Sequence, residues 1–329
     1  MSILVTGGAG YIGSHAVRGL IDKGYDVVIV DNLETGYQNA VDPRAKFYNG
    51  DIRNISFLND MFSKEDIKGV IHFAANSLVG ESMVNPLKYF DNNVHGTQVL
   101  LKAMLKYNVK HIVFSSTAAT YGEPVRSPID ETHPTAPINP YGEAKLMMEK
   151  VIKWTSTAHD LTYVSLRYFN VAGAHPSGEI GESHNPETHL IPIILQVPLG
   201  KRDKLSVFGD DYDTKDGTCI RDYIHIEDLV NAHIKALEYL FEGNTSDIFN
   251  LGSGDGYSIY EMLEAAKEVT GTDIPYEIAN RRAGDPAVLI ASNQKAKEVL
   301  GWSPKYTDVK DIINSAWQFH KKFPDGFKE

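Results

Sequence analysis

Cysteine is almost absent from this chain: among 329 residues there is one, Cys219. A single thiol cannot form a disulfide within its own chain, and a zinc site built on several cysteine ligands is not expected either. Any core must therefore be held by packing, which a chain of this length can supply in one large α/β unit or in two domains.

An excess of positive charge is also missing, since the formal net charge is −11. Broad nucleic-acid binding needs a basic face, so we expect no nucleic-acid partner. A negative chain repels anionic substrates, and a site for phosphate groups must therefore concentrate its own arginines.

Long apolar runs are the third absence. The segment Ile3–Val5 is too short for the core of a signal peptide, and no stretch approaches the roughly 20 residues of a membrane helix. The hydrophobic fraction of 42% and the charged fraction of 23% are near the globular average. We expect a cytoplasmic protein without membrane contact.

Short apolar runs alternate with longer amphipathic segments in the first half. The runs are continuous and rich in β-branched residues, as in strands buried on both faces. The predicted strands are Ile3–Thr6, Val27–Val30, Lys46–Tyr48, Val70–Phe73, His111–Ser115 and Thr162–Arg167. The predicted helices are Tyr11–Lys23, Asn54–Phe62, Pro86–Tyr107 and Pro140–Ala158. This alternation predicts an α/β fold with a doubly wound parallel sheet of the Rossmann type.

The second half is less regular, with longer loops and with predicted helices at Asp228–Phe241 and Ser258–Thr270. We interpret residues 1–170 as a cofactor-binding domain and residues 171–329 as a smaller C-terminal α/β substrate domain, with some segments crossing back to the first. The smaller domain is expected to form one wall of a cleft.

A glycine-rich turn follows the first predicted strand. Gly8, Gly10 and Gly13 satisfy G-x-G-x-x-G, and Gly7, Gly10 and Gly13 give a second way to divide the same run. Alone this pattern is weak, but here it follows a strand and opens a helix. Glycines in that place allow a tight turn and let the backbone approach a pyrophosphate at the helix N-terminus.

An acidic residue closes the second strand at Asp31, 18 positions after Gly13. Its carboxylate can accept hydrogen bonds from the adenosine ribose and would repel a 2′-phosphate. Asn32 and Leu33 supply no compensating arginine, so the sequence favours NAD over NADP.

Tyr141 and Lys145 have the spacing Tyr-x-x-x-Lys, which Tyr306 and Lys310 also match. Asn139 and Pro140 indicate the N-cap and first residue of a helix, which places Tyr141 in its first turn and Lys145 one turn on. The second match lies in a polar segment without such a start and is interpreted as surface.

A tyrosine that acts as a base near neutral pH needs its pKa lowered by about three units, or ~4 kcal/mol. A neighbouring ammonium supplies roughly one to three units, and a helix N-terminus adds up to ~2 kcal/mol. The positive nicotinamide ring of NAD⁺ would add more, so a general-base role for Tyr141 is physically credible.

The chain resembles the UDP-glucose 4-epimerases, a bacterial type within the extended short-chain dehydrogenase/reductase family, along nearly its whole length. The resemblance is carried by the stretches Val5–Gly13, Gly80–Ser82, Asp91–Val94, Pro140–Gly142, Leu166–Asn170 and Arg221–His225. It implies reversible C4 epimerisation of UDP-hexoses with bound NAD, and a place in galactose metabolism. The catalytic residues that it implies are Thr117, Tyr141 and Lys145.

The resemblance also implies binding roles. The implied cofactor contacts are Gly7, Gly10, Tyr11, Ile12, Gly13, Asp31, Asn32, Gly36, Asp51, Ile52, Phe73, Ala74, Ala75, Ser77, Asn92, Tyr141, Lys145 and Phe169. The implied UDP-sugar contacts are Thr117, Tyr141, Asn170, Leu190, Val207, Phe208, Arg221, Arg282, Asp285 and Leu289. Many relatives have serine in place of Thr117 and lysine in place of Ser77. Without the resemblance, Arg221 and Arg282 fit a surface ion pair as well as phosphate recognition.

Two further expectations come from the family. Relatives form a homodimer through their two long helices, and here the predicted helices carry Leu100, Leu101, Met104, Leu146, Met147 and Trp154. Leu289 is expected to form the wall beside the sugar, where a bulkier tyrosine would exclude a 2-acetamido group; a core role for this leucine is the alternative.

Other functions remain as alternatives. A 4,6-dehydratase of the same fold carries an Asp-Glu pair where this chain has Ala118 and Ala119, while a net nucleotide-sugar dehydrogenase would differ by releasing NADH. A redox-sensing NAD-binding module would leave the catalytic-type residues unexplained. No metal site is expected, because His184 and His189 look like an isolated pair on a polar surface.

Overall fold

We describe residues 1–282 and 285–327 in a computed structural model of the chain. The first half alternates strands and helices. Its strands are β1 (Ser2–Thr6), β2 (Asp26–Asp31), β3 (Lys46–Asn49), β4 (Ile67–His72), β5 (His111–Ser115) and β6 (Thr162–Tyr168). Its α-helices are α1 (Tyr11–Asp22), α2 (Ile55–Lys64), α3 (Val79–Val84), α4 (Pro86–Tyr89), α5 (Gly96–Lys106) and α6 (Pro140–Ala158).

The second half contributes short strands and five further helices. The strands are β7 (Asn170–Ala172), β8 (Leu205–Phe208), β9 (Ile220–Arg221), β10 (Tyr223–His225), β11 (Asp247–Leu251), β12 (Tyr257–Ser258), β13 (Tyr276–Ala279) and β14 (Val288–Leu289). The helices are α7 (Leu190–Leu195), α8 (Ile226–Phe241), α9 (Ile259–Thr270), α10 (Gln294–Val299) and α11 (Val309–Lys322).

The central sheet has seven strands in the order β3-β2-β1-β4-β5-β6-β11, and every neighbouring pair is parallel. The chain winds outward from β1 to β3, then returns past β1 and winds the other way. The winding direction therefore reverses between β1 and β4, and ligands of such sheets bind at the carboxyl ends of the strands at this point. The predicted doubly wound parallel sheet is confirmed.

Two apolar layers cover the sheet. Helices α1 and α8 bury one face against residues such as Ile3, Ile29 and Val164. Helices α2, α5 and α6 cover the other face against residues such as Leu4 and Ile112. Because both faces are covered, the inner strands are continuously apolar, as their sequences predicted, whereas the edge strand β3 has exposed polar residues at both ends.

The predicted helix Pro86–Tyr107 is wrong as one regular helix, because a π-helical segment at Phe90–His95 separates α4 from α5. The side chain of Asn93 explains the interruption. It accepts from the backbone N–H of Asn76 at 2.8 Å and donates to its carbonyl at 3.0 Å. The extra residue of a π-turn thus turns an amide toward the loop after β4, and π-turns are frequent at functional sites.

The two halves of the chain interlock. Strand β11 comes from the second half but forms the edge of the central sheet, and α8 packs on α1. A separate apolar cluster joins α7, α9 and α11. The division at residue 170 stays a prediction, with β11 and α8 as the segments that cross back.

Within the described ranges, no helix combines the length and the apolar character required to cross a membrane.

Candidate active site

A cleft of about 1720 Å³ opens at the carboxyl ends of the central strands, between the sheet and the second half of the chain. The loops after β1, β2, β4 and β5 line one side, and α7, β8, β9 and β14 line the other. Every residue that the sequence assigned to catalysis, cofactor or substrate lies on its surface. The tertiary structure brings all of these residues together in one cleft.

The glycine turn occupies the floor of this cleft between β1 and α1. Gly7 has a φ of +76°, and a Cβ there would lie 2.7 Å from the backbone nitrogen of Ala74 after β4. A Cβ on Gly13 would lie 2.0 Å from the carbonyl oxygen of Gly7. At Gly10 the nearest atom would be 3.4 Å away, so this position is open toward the cleft. Two of the glycines are thus needed by the fold, and Gly10 leaves room for a ligand.

Asp31 ends β2 beside the turn, and 8% of its surface is exposed. One carboxylate oxygen accepts from the backbone N–H of Ala9 at 3.0 Å and the other from that of Leu33 at 2.8 Å. Leu33 has a φ of +59°, which the carboxylate helps to hold. Burial raises the pKa of Asp31, although the two N–H groups oppose this. Each oxygen still has a free lone pair for a ribose hydroxyl.

The remaining cofactor-side residues line the same half of the cleft. Asn32 donates to Asp51 at 3.4 Å, and the Arg53 guanidinium beside Asp51 lowers the pKa of that carboxyl. Phe73 packs against His233 with ring centroids 4.7 Å apart. The other members, placed along the cleft by neighbouring loops, are Tyr11, Ile12, Gly36, Ile52, Ala74, Ala75, Ser77, Asn92 and Phe169.

Helix α6 presents Tyr141 and Lys145 to the cleft. It begins as predicted: the side chain of Asn139 accepts from the N–H of Gly142 at 2.8 Å, and Pro140 is its first residue. Tyr141 then lies in the first turn and Lys145 in the next, and the Lys145 Nζ donates to the carbonyl of Ser115 at 2.7 Å. The pair is therefore fixed against the end of β5.

Thr117 stands two residues beyond the end of β5. Its hydroxyl oxygen accepts from the N–H of Ala119 at 3.1 Å, and this directs its proton away from that backbone. Thr117 also hydrogen-bonds the phenol of Tyr141. The three residues predicted as catalytic thus meet at one edge of the cleft.

The pKa of Tyr141 differs from the expected direction. Burial raises it above 10, and the hydrogen bond from Thr117 opposes this without reversing it. Burial also lowers the pKa of Lys145 to about 7, although Glu149 one turn on acts in the opposite sense. In the chain alone, burial outweighs the hydrogen bond from Thr117, so the net effect on the pKa of the phenol is a rise.

Two aromatic neighbours of Tyr141 were not assigned from the sequence. The Tyr168 hydroxyl hydrogen-bonds the side chain of Ser115, and the Tyr89 ring meets that of Tyr141 edge-on with centroids 6.5 Å apart. Tyr168 belongs to a stretch that carries the family resemblance, so a signal was present. Nothing local marks Tyr89, which the contact between α4 and α6 brings close.

The second Tyr-x-x-x-Lys match forms no site. Tyr306 precedes α11 and stacks on His225 at 3.9 Å between centroids, while Lys310 pairs with Glu268 on the surface. The prediction that this match is not catalytic agrees with that separation.

The opposite wall carries the arginines. Arg221 of β9 donates to Asp285 at 2.8 Å, and both line the cleft. The Arg282 guanidinium stacks over the ring of Phe208 at 3.9 Å. The ion pair considered as an alternative for Arg221 is thus present, but both of its residues line the cleft and not the outer surface. Near it, Asn170 donates to the carbonyl of Asp222 at 2.9 Å, and Leu190 and Val207 complete the wall.

Leu289 combines both roles considered for it. It is partly buried, lines the cleft, and pairs in β14 with Arg221 of β9. Its side chain also packs on a small apolar cluster that contains Ala118 and Phe169. The wall position and the core contact therefore do not exclude each other.

The two loop histidines are not an isolated pair, which corrects the sequence interpretation. Glu182 and Glu187 join His184 and His189, and the four donor atoms lie within 4.8 Å of one another. Burial lowers the pKa of His184, but the two carboxylates reverse this and raise it to about 10. Burial raises the pKa of Glu182, but His189 and His184 reverse this and lower it to about 2.

The chain's residues fit an NAD-type cofactor. Gly10 is open where a pyrophosphate would approach the start of α1, and Asp31 ends β2 beside the same turn, where a ribose would lie. Tyr141 and Lys145 line the same cleft. These features define the protein as an NAD-dependent enzyme of the short-chain dehydrogenase/reductase type.

Comparison with known proteins narrows this class. Residues 3–252 match the model of the NAD-dependent epimerase/dehydratase family, and the chain belongs to that family. The UDP-glucose 4-epimerase of Lacticaseibacillus casei is 59% identical over 327 residues, which cover 99% of each chain.

Solved structures of 4-epimerases are also similar to this chain over nearly its whole length. The UDP-glucose 4-epimerase from Brucella ovis, in complex with NAD, superposes with a TM-score of 0.94 at 47% identity over 96% of this chain and 97% of that one. The UDP-Glc/GlcNAc 4-epimerase of Campylobacter jejuni gives a TM-score of 0.87 at 46% identity over 98% and 99% of the two chains. Likeness of this extent supports NAD-dependent epimerisation as the activity.

The glycine turn gives a matched pair of variants. Gly13→Ala is expected to lose both folding stability and NAD, because its methyl would collide with the Gly7 carbonyl. Gly10→Ala is expected to keep its fold but lose bound NAD, because its methyl meets only the open cleft floor. Circular dichroism reports the fold, and chromatography of the cofactor released on denaturation reports NAD. Full NAD content in folded Gly10→Ala would contradict a pyrophosphate at this position.

Proposed function

We propose that the chain interconverts UDP-glucose and UDP-galactose by reversible epimerisation at C4 of the sugar, with NAD retained throughout. One observation carries the proposal: Thr117, Tyr141 and Lys145 meet in the same cleft that holds the glycine turn on one side and Arg221 and Arg282 on the other. The full-length relatives named above support the same activity.

The diphosphate is anchored by the arginine wall in this proposal. Arg221 and Arg282 present guanidinium groups to the cleft, and guanidinium binds two phosphate oxygens at once. An incoming diphosphate would compete with Asp285 for Arg221. Leu190, Val207, Phe208 and Asn170 would hold the uridine side, so the sugar extends toward Tyr141.

Bound NAD supplies reversible hydride acceptance and return at C4, so that a 4-keto sugar forms and is reduced again. Tyr141 removes the proton of the 4-hydroxyl through its phenolic oxygen and later gives it back. Thr117 holds the phenol and the sugar oxygen by hydrogen bonds, and Lys145 orients the phenol and a cofactor ribose. The arginines keep the UDP fixed while the sugar turns over to present its other face.

The alternatives of the same fold lack supporting groups. Water loss by a 4,6-dehydratase needs an extra acid and base, and after Thr117 this chain has Ala118 and Ala119, whose side chains cannot transfer a proton. A net dehydrogenase would need to exchange its cofactor at each turnover. The dehydratase and the dehydrogenase can be distinguished from an epimerase by the products that they release.

We also propose that the enzyme works in the cytoplasm in galactose metabolism. UDP-sugars and NAD are anionic metabolites of that compartment, and the interconversion of UDP-glucose and UDP-galactose is the step that links the two hexoses.

The activity is tested by incubating purified protein with UDP-galactose without added NAD. We expect UDP-glucose to form without accumulation of free NADH, whereas stoichiometric NADH would indicate a dehydrogenase. Tyr141→Phe should retain NAD but lose activity by about 10²–10⁴-fold, because it lacks the proton acceptor. Tyr306→Phe, outside the cleft, is the matched control. An active Tyr141→Phe enzyme would remove this residue from the mechanism.

Substrate range depends on Leu289 in this proposal. Leucine leaves room beside the sugar for a 2-acetamido group, and a larger side chain at a pocket wall excludes such a group by collision. We expect measurable epimerisation of UDP-N-acetylglucosamine by wild type and a lower ratio of acetylated to non-acetylated activity in Leu289→Tyr. An unchanged ratio, or a wild type inactive on the acetylated substrate, would show that Leu289 is not the wall.

A homodimer is proposed from exposed apolar residues on neighbouring helices. Of the six residues expected to pair, Leu100, Leu101, Met104 and Leu146 are buried within the chain, which leaves Met147 and Trp154. Helices α3 and α4, which contact α6, add Met83, Val84 and Leu87, of which 60–83% is exposed. Large exposed apolar residues gathered on neighbouring helices are typical of an interface.

Sedimentation at micromolar concentration is expected to give a dimer for wild type and a monomer for Trp154→Glu, because a carboxylate would be buried without a partner. Val299→Glu replaces an exposed apolar residue on α10, outside this group of helices, and should stay dimeric. A monomeric wild type would refute the interface.

A further inference from the structure

The loop before α7 gathers four ligand-type side chains that the proposed reaction does not use. Glu182, His184, Glu187 and His189 lie within eight consecutive residues and turn their donor atoms toward one another. The Nδ1 atoms of His184 and His189 lie 3.2 Å and 2.6 Å from Oε1 of Glu182, and 3.7 Å and 3.6 Å from the nearer oxygen of Glu187.

Glu182 is the buried centre of this cluster, with 3% of its surface exposed. Despite the short distances, its Oε1 makes no hydrogen bond, and the buried Nδ1 of His184 makes none either. Buried polar atoms of folded proteins are almost always hydrogen-bonded or bound to an ion. These two atoms form ion-pair contacts but no hydrogen bond, and both face one space, which indicates a ligand between them.

The charges of the cluster also support a bound ligand. Two carboxylates, one of them buried, stand at the edge of a cleft that has to accept anionic molecules. Positive charge placed between them stabilises this arrangement, and either protonated histidines or a bound cation beside neutral imidazoles can supply it. A divalent cation bound by two carboxylates and two neutral imidazoles would leave the site with no net charge.

We propose that Glu182, His184, Glu187 and His189 bind one divalent transition-metal ion of the zinc class. Bonds of about 2.0–2.2 Å in a tetrahedron place ligand atoms about 3.4 Å apart. The four His–Glu separations of 2.6–3.7 Å lie on both sides of that value, and all four donor atoms lie within 4.8 Å of one another. Two imidazole ligands favour zinc, cobalt or nickel over magnesium and calcium, which prefer oxygen.

The position of the cluster suggests an organising role. The His184 ring meets Tyr11 edge-on at 6.2 Å between centroids, and His189 is the N-cap residue of α7, which begins with Leu190. An ion there would tie the cofactor side of the cleft to its substrate side. It would take no part in proton or hydride transfer, and the inference is independent of the proposed reaction.

The test uses full-length protein without a histidine tag, stripped of metal with a chelator. Calorimetric titration with Zn²⁺ should give one ion per chain, and Co²⁺ should give the intense visible absorption of a tetrahedral site. At a Zn²⁺ concentration about 100 times Kd, the Tm should rise by about 5 °C. Glu182→Gln should weaken Zn²⁺ binding by at least about 100-fold, since it loses a ligand and not merely a supporting group.

His159→Ala removes a solvent-exposed histidine outside the cluster and is the matched control, expected to bind like wild type. If Glu182→Gln does not fold, His189→Ala replaces it, because half of that side chain is exposed. Binding that is unchanged in either cluster variant, binding without fixed stoichiometry, or Co²⁺ spectra of an octahedral hydrated ion would overturn the proposal and indicate adventitious surface binding.

Discussion

The close approach of the Gly7–Gly13 turn to the end of β4 is the constraint on which the cleft depends. A Cβ at Gly7 would meet the backbone of Ala74, and one at Gly13 would meet the backbone of the turn itself. Because glycine has no Cβ, the turn can pass this close to the backbone after β4, and α1 can start directly after β1. The reversal of winding at this point then leaves the carboxyl ends of the strands open, and every residue proposed for the reaction borders that opening.

A buried ion pair fixes the helix that carries Tyr141 and Lys145, the residues proposed for catalysis. The carboxylate of Glu149 on α6 accepts from the Arg167 guanidinium at 2.9 Å and from the Ser116 hydroxyl at 2.5 Å. These contacts join α6 to β5 and β6, directly below Lys145. A buried ion pair of this kind contributes little net stability, but removal of one partner is costly. We interpret it as the reason that α6 keeps a fixed position relative to Thr117.

The two halves of the chain carry different parts of the chemistry. The central sheet supplies the glycine turn and the groups proposed for proton transfer, while the second half supplies the arginines and the apolar wall. Strand β11 and helix α8 belong to the second half in sequence and to the sheet in space. The wall is therefore connected to the sheet through buried structure, and the width of the cleft is set by packing.

The sequence by itself determined the parts that depend on a few neighbouring residues: the six strands from Ile3 to Arg167, the glycine turn with Asp31, and the capped start of α6 that brings Tyr141 and Lys145 together. Apolar periodicity, glycine at a tight turn and an N-cap act locally, so they can be recognised without a structure. Only the tertiary structure decided the seventh strand, the π-helical segment, the pairing of Arg221 with Asp285 and the gathering of Glu182 with the loop histidines. It also decided the pKa of Tyr141, because desolvation depends on which side chains pack around the phenol, and that is fixed by segments far apart in the chain.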